Sequence, residues 1–283
     1  MNELVVAAIV LGGLGLIFGI GLTIVNKVFH VPVDKKLVEL KSAMPGANCG
    51  GCGYPGCDAC AEAIYEGLAP VNACPVGGTA LVEKVSKIMG IEAKHDDVKL
   101  TARVRCQGSC DKCGNKFDYI DIEDCRAAQF VSGGHKKCEY GCLGLGSCVK
   151  ACQFDAIHIN SDTRLPEVDE EKCTACGQCV LACPKKLIQL QPVNLPVRVL
   201  CMNLNKGKLV RSICSIGCIG CGACFRACKF GSIKMVNDLP IIDNDICVGC
   251  MECARVCPTK SIHPNFEFAN PEYYKAPQQP EIN

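Results

Sequence analysis

Apolar residues fall along this chain in two distinct patterns. Leu4 to Val25 is a run of 22 residues without a charge. As a helix at about 1.5 Å per residue it spans roughly 33 Å, enough to cross a hydrocarbon core of about 30 Å. Further along, apolar segments are short and come in pairs. Ala156-Ile157-His158-Ile159 precedes Leu165-Pro166-Glu167-Val168-Asp169, and Ser232-Ile233-Lys234-Met235-Val236 precedes Leu239-Pro240-Ile241-Ile242-Asp243. Each pair predicts two short strands joined by a turn. Two other segments read as hairpins that bring two cysteines together: Val104-Arg105-Cys106 with Tyr119 to Cys125, and Val199-Leu200-Cys201 with Leu209 to Cys214. Ala59 to Tyr65 reads as a helix. The expected fold class is α+β, with a single N-terminal transmembrane helix ahead of small mixed domains.

A cleaved signal peptide is the rival reading of the N-terminal run. Such a peptide has positive charge before a shorter apolar core and small residues at a cleavage site. Here Glu3 precedes the run and Asn26-Lys27-Val28-Phe29-His30 follows it, so a retained anchor is expected. Lys27, Lys35 and Lys36 follow the helix and no Lys or Arg precedes it. The positive-inside rule then puts the N-terminus outside and everything from residue 27 in the cytoplasm, as a single-pass cell-membrane protein. That compartment is reducing and disfavours disulfides. Gly15-x3-Gly19 is a small-residue face able to pack on another helix, although glycine is common in such helices anyway. One apolar helix without an ionisable residue offers no ion path.

Charge narrows the function classes. Lys plus Arg number 30 against 29 Asp plus Glu. A nucleic-acid protein usually shows a basic excess, so none is expected as a partner. The abnormal quantity is 27 cysteines in 283 residues. The count is odd and the chain is not short, which argues against a disulfide scaffold and for bound metal.

The strongest motif is Cys247-x2-Cys250-x2-Cys253-x3-Cys257-Pro258. This is the bacterial ferredoxin run for a 4Fe–4S cluster, whose fourth cysteine ligates the neighbouring cluster. Three thiolates on a tight loop cap three irons, and a short helix carries the fourth away. Such runs should come in pairs, and they do. Cys218-x2-Cys221-x2-Cys224-x3-Cys228 precedes it. Upstream, Cys173-x2-Cys176-x2-Cys179-x3-Cys183-Pro184 follows Cys138-x3-Cys142-x5-Cys148-x3-Cys152. Cys148 to Cys224 and Cys152 to Cys228 are both offsets of 76 residues. The expected ligand sets are crossed. Cys183 joins Cys138, Cys142 and Cys148; Cys152 joins Cys173, Cys176 and Cys179; Cys257 joins Cys218, Cys221 and Cys224; Cys228 joins Cys247, Cys250 and Cys253. Structural zinc is the rival, needing only four ligands per site; the repeated spacing, with Pro after the last cysteine of two runs, favours iron–sulfur. The first run departs from the pattern by its widened spacing. Gln153 and Lys229 also stand where ferredoxins usually have Pro.

The remaining dense group is Asn48-Cys49-Gly50-Gly51-Cys52-Gly53-Tyr54-Pro55-Gly56-Cys57, then Cys60 and Cys74-Pro75. Its Gly51-x-Gly53-x2-Gly56 is not read as a dinucleotide loop, because no strand precedes it and cysteines fill its gaps. The segment resembles the small four-cysteine Fe–S domain of Rnf-type and some corrinoid proteins. That resemblance implies Cys49, Cys52, Cys57 and Cys74 as ligands and leaves Cys60 as a buried or spare thiol.

The order of parts resembles the B subunits of Rnf complexes, the ion-translocating ferredoxin:NAD oxidoreductases of bacterial membranes. The most specific stretch is Cys138-Glu139-Tyr140-Gly141-Cys142-Leu143-Gly144-Leu145-Gly146-Ser147-Cys148. The two double-cluster modules match the clostridial type. The five four-cysteine sets predict five 4Fe–4S clusters, and the resemblance implies reduced soluble ferredoxin as electron donor and further membrane and cytoplasmic subunits as partners. No nucleotide loop, flavin motif or catalytic acid–base set is visible in this chain, so no catalytic residue is expected. A polyferredoxin subunit of another membrane complex, such as a hydrogenase, is the alternative. Cys106-x3-Cys110-x2-Cys113 matches a radical S-adenosylmethionine motif, but only about 60 residues separate Cys74 from Cys138, too few for the barrel such enzymes need. Lys136, Lys137, Lys150, Lys172, Lys185, Lys186, Arg226 and Lys229 lie beside ligands and could steer an acidic ferredoxin, or form an ordinary solvated charge set.

Seven cysteines remain. A sixth metal site is a candidate at Cys106, Cys110, Cys113 and Cys125, while Cys201 and Cys214 are expected to be close structural thiols without metal. The expected parts are an anchor over 1–26, the four-cysteine domain over 27–90, and a connector with hairpin over 91–133. A ferredoxin module follows over 134–191, then a hairpin connector over 192–213, a second module over 214–265 and a tail over 266–283. The tail carries Pro271, Pro277 and Pro280 and reads as a disordered end or partner contact.

Overall fold

The computed structural model describes residues 3–28, 34–92, 98–120, 122–270 and 272–273. The uncharged N-terminal run lies within helix α1, Glu3–Val28. Among the described residues, none covers it between Ile9 and Lys27. Leu11, Ile17 and Leu22 are 71%, 68% and 70% exposed. A helix satisfies its own backbone polar groups, so an apolar one bare on every side suits a lipid environment. Among the described residues it is the one helix long and apolar enough to cross a membrane.

Three helices follow: α2 (Lys35–Ala43), α3 (Cys57–Tyr65) and α4 (Gly78–Met89). The Asp34 carboxylate caps α2 by accepting from the Lys36 amide, and also accepts from the Tyr65 hydroxyl at 2.7 Å, tying the start of α2 to the end of α3. Leu40, Cys60, Ala61, Ile64, Leu81 and Val85 form their shared core.

The rest of the chain folds twice into the same arrangement. The first copy runs β1 (Leu100–Val104), α5 (Cys125–Phe130), α6 (Ser147–Lys150), β2 (Ile157–Ile159), β3 (Pro166–Val168), α7 (Gln178–Ala182) and β4 (Ile188–Pro192). The second runs β5 (Val197–Val199), α8 (Gly207–Ile213), α9 (Ala223–Ala227), β6 (Ile233–Val236), β7 (Leu239–Ile242), α10 (Glu252–Arg255) and β8 (Ile262–Pro264). In each copy an inner antiparallel hairpin, β2–β3 or β6–β7, lies between the two cysteine runs. An outer antiparallel pair, β1–β4 or β5–β8, joins the first strand to the one after the last cysteine. The inner hairpins are those expected from the paired apolar segments.

The two cysteine hairpins expected around Cys106 and Cys201 do not form. β1 and β5 pair instead with β4 and β8, so residues 100–104 and 197–199, expected in connectors, are drawn onto the modules. Leu209 to Ile213 is helical, because the α8 turn puts Val210 fully into the interior; a short apolar run does not by itself distinguish strand from helix. Cys125 begins helix α5, with Asp124 as its cap. Phe29, His30, Asp121, Pro271, Pro277 and Pro280 lie outside the described residues.

Two-stranded sheets are marginal on their own. Their cores here are few apolar residues around thiols: Ala102, Cys148, Ile157, Cys179 and Ile188 in the first copy, and Val197, Cys224, Ile233, Cys253 and Ile262 with Met251 in the second. Sulfur therefore occupies the centre where a larger domain would place aliphatic side chains.

Candidate iron–sulfur centres

Each cysteine run turns in the same way. The residue just before α6, α7, α9 and α10 is left-handed: Gly146 at φ +75°, Gly177 at +78°, Gly222 at +67° and Met251 at +60°. That single left-handed residue reverses the chain so that the third cysteine, one step inside the helix, returns toward the first two. Gly177, Gly222 and Met251 each directly follow the second cysteine of their run. Gly146 follows Leu145, so Leu145 occupies the second-cysteine place in the first run.

These turns surround cavities of similar empty volume, the mouth of each included. Cys152, Cys173, Cys176 and Cys179 line one of about 310 Å³. Cys218, Cys221, Cys224 and Cys257 line another of about 300 Å³. Cys228 packs in one core with Cys247 and Cys253, and Cys250 stands beside both of the latter. Each of these groups draws its thiols from two runs.

The fourth group differs from the expected set. A cavity of about 400 Å³ is lined by Cys125, Cys142, Cys148 and Cys183; Cys138 is not among its walls. Leu145 leaves that loop one thiol short, and Cys125 at the head of α5 stands in the gap, its amide held by the Ser147 hydroxyl at 2.7 Å. The signal was present in the sequence. Cys142-x5-Cys148 is Cys142-x2-Leu145-x2-Cys148, a ferredoxin spacing with one cysteine replaced.

The candidate extra site is not assembled as expected. Cys110 is exposed. Cys106 and Cys113 line a further cavity of about 360 Å³, together with Cys138, Cys201 and Cys214. All 27 cysteines are free thiols. Lys136 is not a docking cation either: it is 3% exposed, with its ammonium on the carbonyls of Gly108 and Cys113. Lys150 and Lys185 are likewise engaged, on the carbonyls of Glu123, Gly133 and Glu139.

In the helical N-terminal part, Cys52, Cys57, Cys60 and Cys74 share one core. Asn48 holds the turn by accepting from the Cys57 amide at 2.8 Å. Burial pushes the Cys60 thiol, beside Cys52, up to about 12. This part meets the first module backbone to backbone. The Gln178 side chain donates to the Cys49 carbonyl, and a Cβ on Gly51 would stand 2.5 Å from the Cys176 carbonyl oxygen. Only glycine fits there.

The donor chemistry suits iron–sulfur clusters. Four thiols from separate stretches of the chain ring each of three cavities, an arrangement that a polynuclear cluster requires. Burial raises the third thiol of each run in matched pairs: Cys148 and Cys224 to about 11, Cys179 and Cys253 to about 12. Such thiols are neutral when metal-free and release protons on ligation. Amides of Ala102, Ala156 and Leu187 donate to the sulfurs of Cys173, Cys152 and Cys183, each at 3.4 Å. Hydrogen bonds of this kind favour the anionic sulfur of a ligated cysteine and help set cluster potential.

Known families and relatives agree with this chemistry. Residues 44–76 match an Fe-S cluster family, 166–189 a 4Fe-4S binding domain and 217–261 a 4Fe-4S dicluster domain. The B subunit of the Na(+)-translocating ferredoxin:NAD(+) oxidoreductase complex of Acetobacterium woodii is 48% identical over 87% of this chain and 73% of its own length. The B subunit of the ion-translocating oxidoreductase complex of Methanosarcina acetivorans is 42% identical over 89% and 95%. The chain belongs to the family of Rnf complex B subunits. The B subunit of the proton-translocating ferredoxin:NAD(+) oxidoreductase complex of Clostridium ljungdahlii is also similar, at 43% identity over 87% of this chain and 86% of its own length.

Proposed function

We propose that this chain is the membrane-anchored electron-transfer subunit of an ion-translocating ferredoxin:NAD oxidoreductase complex, taking electrons from reduced ferredoxin. The observation that carries the reading is the succession of thiol-lined cavities: the Cys49–Gly51 loop lies on Cys176, two cavities follow in the first module, one is walled by both modules, and one lies in the second. The clusters supply one-electron storage at each stop; the protein supplies position, burial and hydrogen bonds to sulfur.

Five 4Fe–4S clusters are assigned. Cys49, Cys52, Cys57 and Cys74 hold the first. Cys152, Cys173, Cys176 and Cys179 hold the second, and Cys125, Cys142, Cys148 and Cys183 the third. Cys218, Cys221, Cys224 and Cys257 hold the fourth, and Cys228, Cys247, Cys250 and Cys253 the fifth. The modules extend outward to include strands β1 and β5. Helix α1 anchors the chain with its N-terminus outside and the redox domains in the cytoplasm, where ferredoxin reaches them. Ion movement belongs to other subunits, since α1 offers no charged path.

The test is anaerobic purification of the full chain in detergent, with iron and sulfide analysis and mixing with reduced ferredoxin. At least about 20 iron per chain is expected, with visible bleaching as ferredoxin donates electrons. Iron near 8 per chain, stoichiometric zinc, or no bleaching would sink the reading.

A further inference from the structure

We infer that the cavity between the two modules holds a sixth 4Fe–4S cluster, ligated by Cys106, Cys138, Cys201 and Cys214. This goes beyond the five assigned above and rests on that reading for the identity of its neighbours.

The internal repeat selects these four thiols. Cys138-x2-Gly141-Cys142 and Cys214-x2-Gly217-Cys218 lie 76 residues apart. Cys106 and Cys201 each stand two residues beyond the last valine of the first strand of a module, Val104 of β1 and Val199 of β5. Their sulfurs are hydrogen-bonded in the same way. Cys106 accepts from the amides of Gly108 and Cys142, both at 3.4 Å. Cys201 accepts from the amides of Asn203, at 3.5 Å, and Cys218, at 3.2 Å. Two copies of one half-site therefore face each other, each giving one strand-end thiol and one loop thiol. The Asn203 side chain adds a donor to Cys138 at 3.4 Å.

Cys113 is the fifth thiol on the cavity wall, and it has no counterpart in the repeat. Its equivalents under the two offsets, 76 and 95 residues on, are Gln189 and Lys208. Its sulfur points to the Gly114 carbonyl at 3.9 Å and packs against the thiols of Cys138 and Cys214, so the repeat, not distance, sets it apart from the four. It lines the cavity without being needed for a set of four.

Size and charge agree. The cavity, about 360 Å³, falls between the 300 and 400 Å³ of the neighbouring sites. The backbone comes close to its sulfurs at Gly141 and Gly217, where a Cβ would stand 3.7 Å from the sulfur of Cys138 and 3.6 Å from that of Cys214. Buried Lys136 sits behind the Gly108 and Cys113 carbonyls, and Arg105 lines the wall. Burying an ammonium is costly unless negative charge is near. A cluster bearing four thiolates supplies that charge; five neutral thiols do not.

The position gives the site its use. The Cys142 amide ties Cys106 to the third cluster site, and the Cys218 amide ties Cys201 to the fourth. An electron arriving from one module leaves to the other, so the site returns to its starting oxidation state after each passage.

Iron and acid-labile sulfide are measured on the full chain, purified anaerobically in detergent. The wild type should hold about 24 of each, against about 20 for five clusters. Cys201→Ser should lose about four iron, and Cys113→Ser none. The wild-type count needs no variant, so it stands if Cys201→Ser folds poorly. Wild-type iron of about 20 that Cys201→Ser leaves unchanged would overturn the sixth site and keep the other five. One zinc per chain, lost in Cys201→Ser, would also overturn it. Loss of iron in Cys113→Ser without loss in Cys201→Ser would overturn the ligand set. Wild-type iron far below about 20 would strike the five-cluster reading itself.

Discussion

In the second module, one loop carries Cys218, Cys221 and Cys224 to the same cavity. In the first, Leu145 takes the place of Cys221, and Cys125, 20 residues upstream, stands in the cavity instead. The backbones agree nonetheless: a left-handed glycine, Gly146 or Gly222, precedes the short helix carrying the third cysteine. The loop conformation thus survives the loss of one of its cysteines, because the turn depends on the left-handed residue and not on that thiol. A cluster site is defined by where sulfurs meet, not by the run that delivers most of them. The modules differ again at the fourth cysteines. Ser232 and Ser261 bring hydroxyls to the sulfurs of Cys228 at 3.2 Å and Cys257 at 3.4 Å. In the first module Ala156 and Leu187 stand at the same step after Cys152 and Cys183, and offer only amides.

The sharpest way to break this comparison is to move the missing ligand. Cys125→Ser should cost about four iron per chain, a whole cluster. Adding Leu145→Cys to that variant should restore them, since Leu145 already sits in the second-cysteine place. Iron analysis checks both. Failure of Leu145→Cys to rescue would mean the loops are not equivalent.

A smaller effect tests the paired cores. Ile157 and Ile233 are 3% and 2% exposed at matching positions in β2 and β6. Truncating either to Ala should cost about 2–5 kcal/mol, read as a lower denaturant midpoint for anaerobic loss of cluster absorbance. The two losses should be similar. A large loss in one module alone would show that the modules carry their cores differently.

The smallest effect concerns tuning. A hydroxyl donating to a ligand sulfur stabilises the reduced, more negative cluster, so its removal lowers the potential. Ser232→Ala and Ser261→Ala should each lower one second-module potential by on the order of tens of mV, with first-module potentials unchanged. Redox titration followed by EPR separates them. An upward or absent shift would remove the serines as the difference between the modules.

Parts of this architecture could be read locally. The uncharged run from Leu4 to Val25 leaves a helix little alternative. The inner hairpins follow from paired apolar segments with turn residues between. In Cys247-x2-Cys250-x2-Cys253, three thiols lie within seven residues, so backbone geometry alone brings them together. Residues 207–213 are ambiguous locally, because a short apolar stretch suits strand or helix equally, and burial of Val210 decides for helix.

The sequence by itself determined the chemistry of the chain: an apolar anchor, thiol ligands in ferredoxin spacing, and a module copied at an offset of 76 residues. Only the tertiary structure decided which distant thiols share a cavity. Cys125 reaches the third site through helix α5, and Cys138 leaves that site to face Cys106, Cys201 and Cys214. The physical reason is separation along the chain. Within a run, covalent geometry limits where sulfurs can go; between residues 106 and 214, only strand pairing and packing bring the ends together.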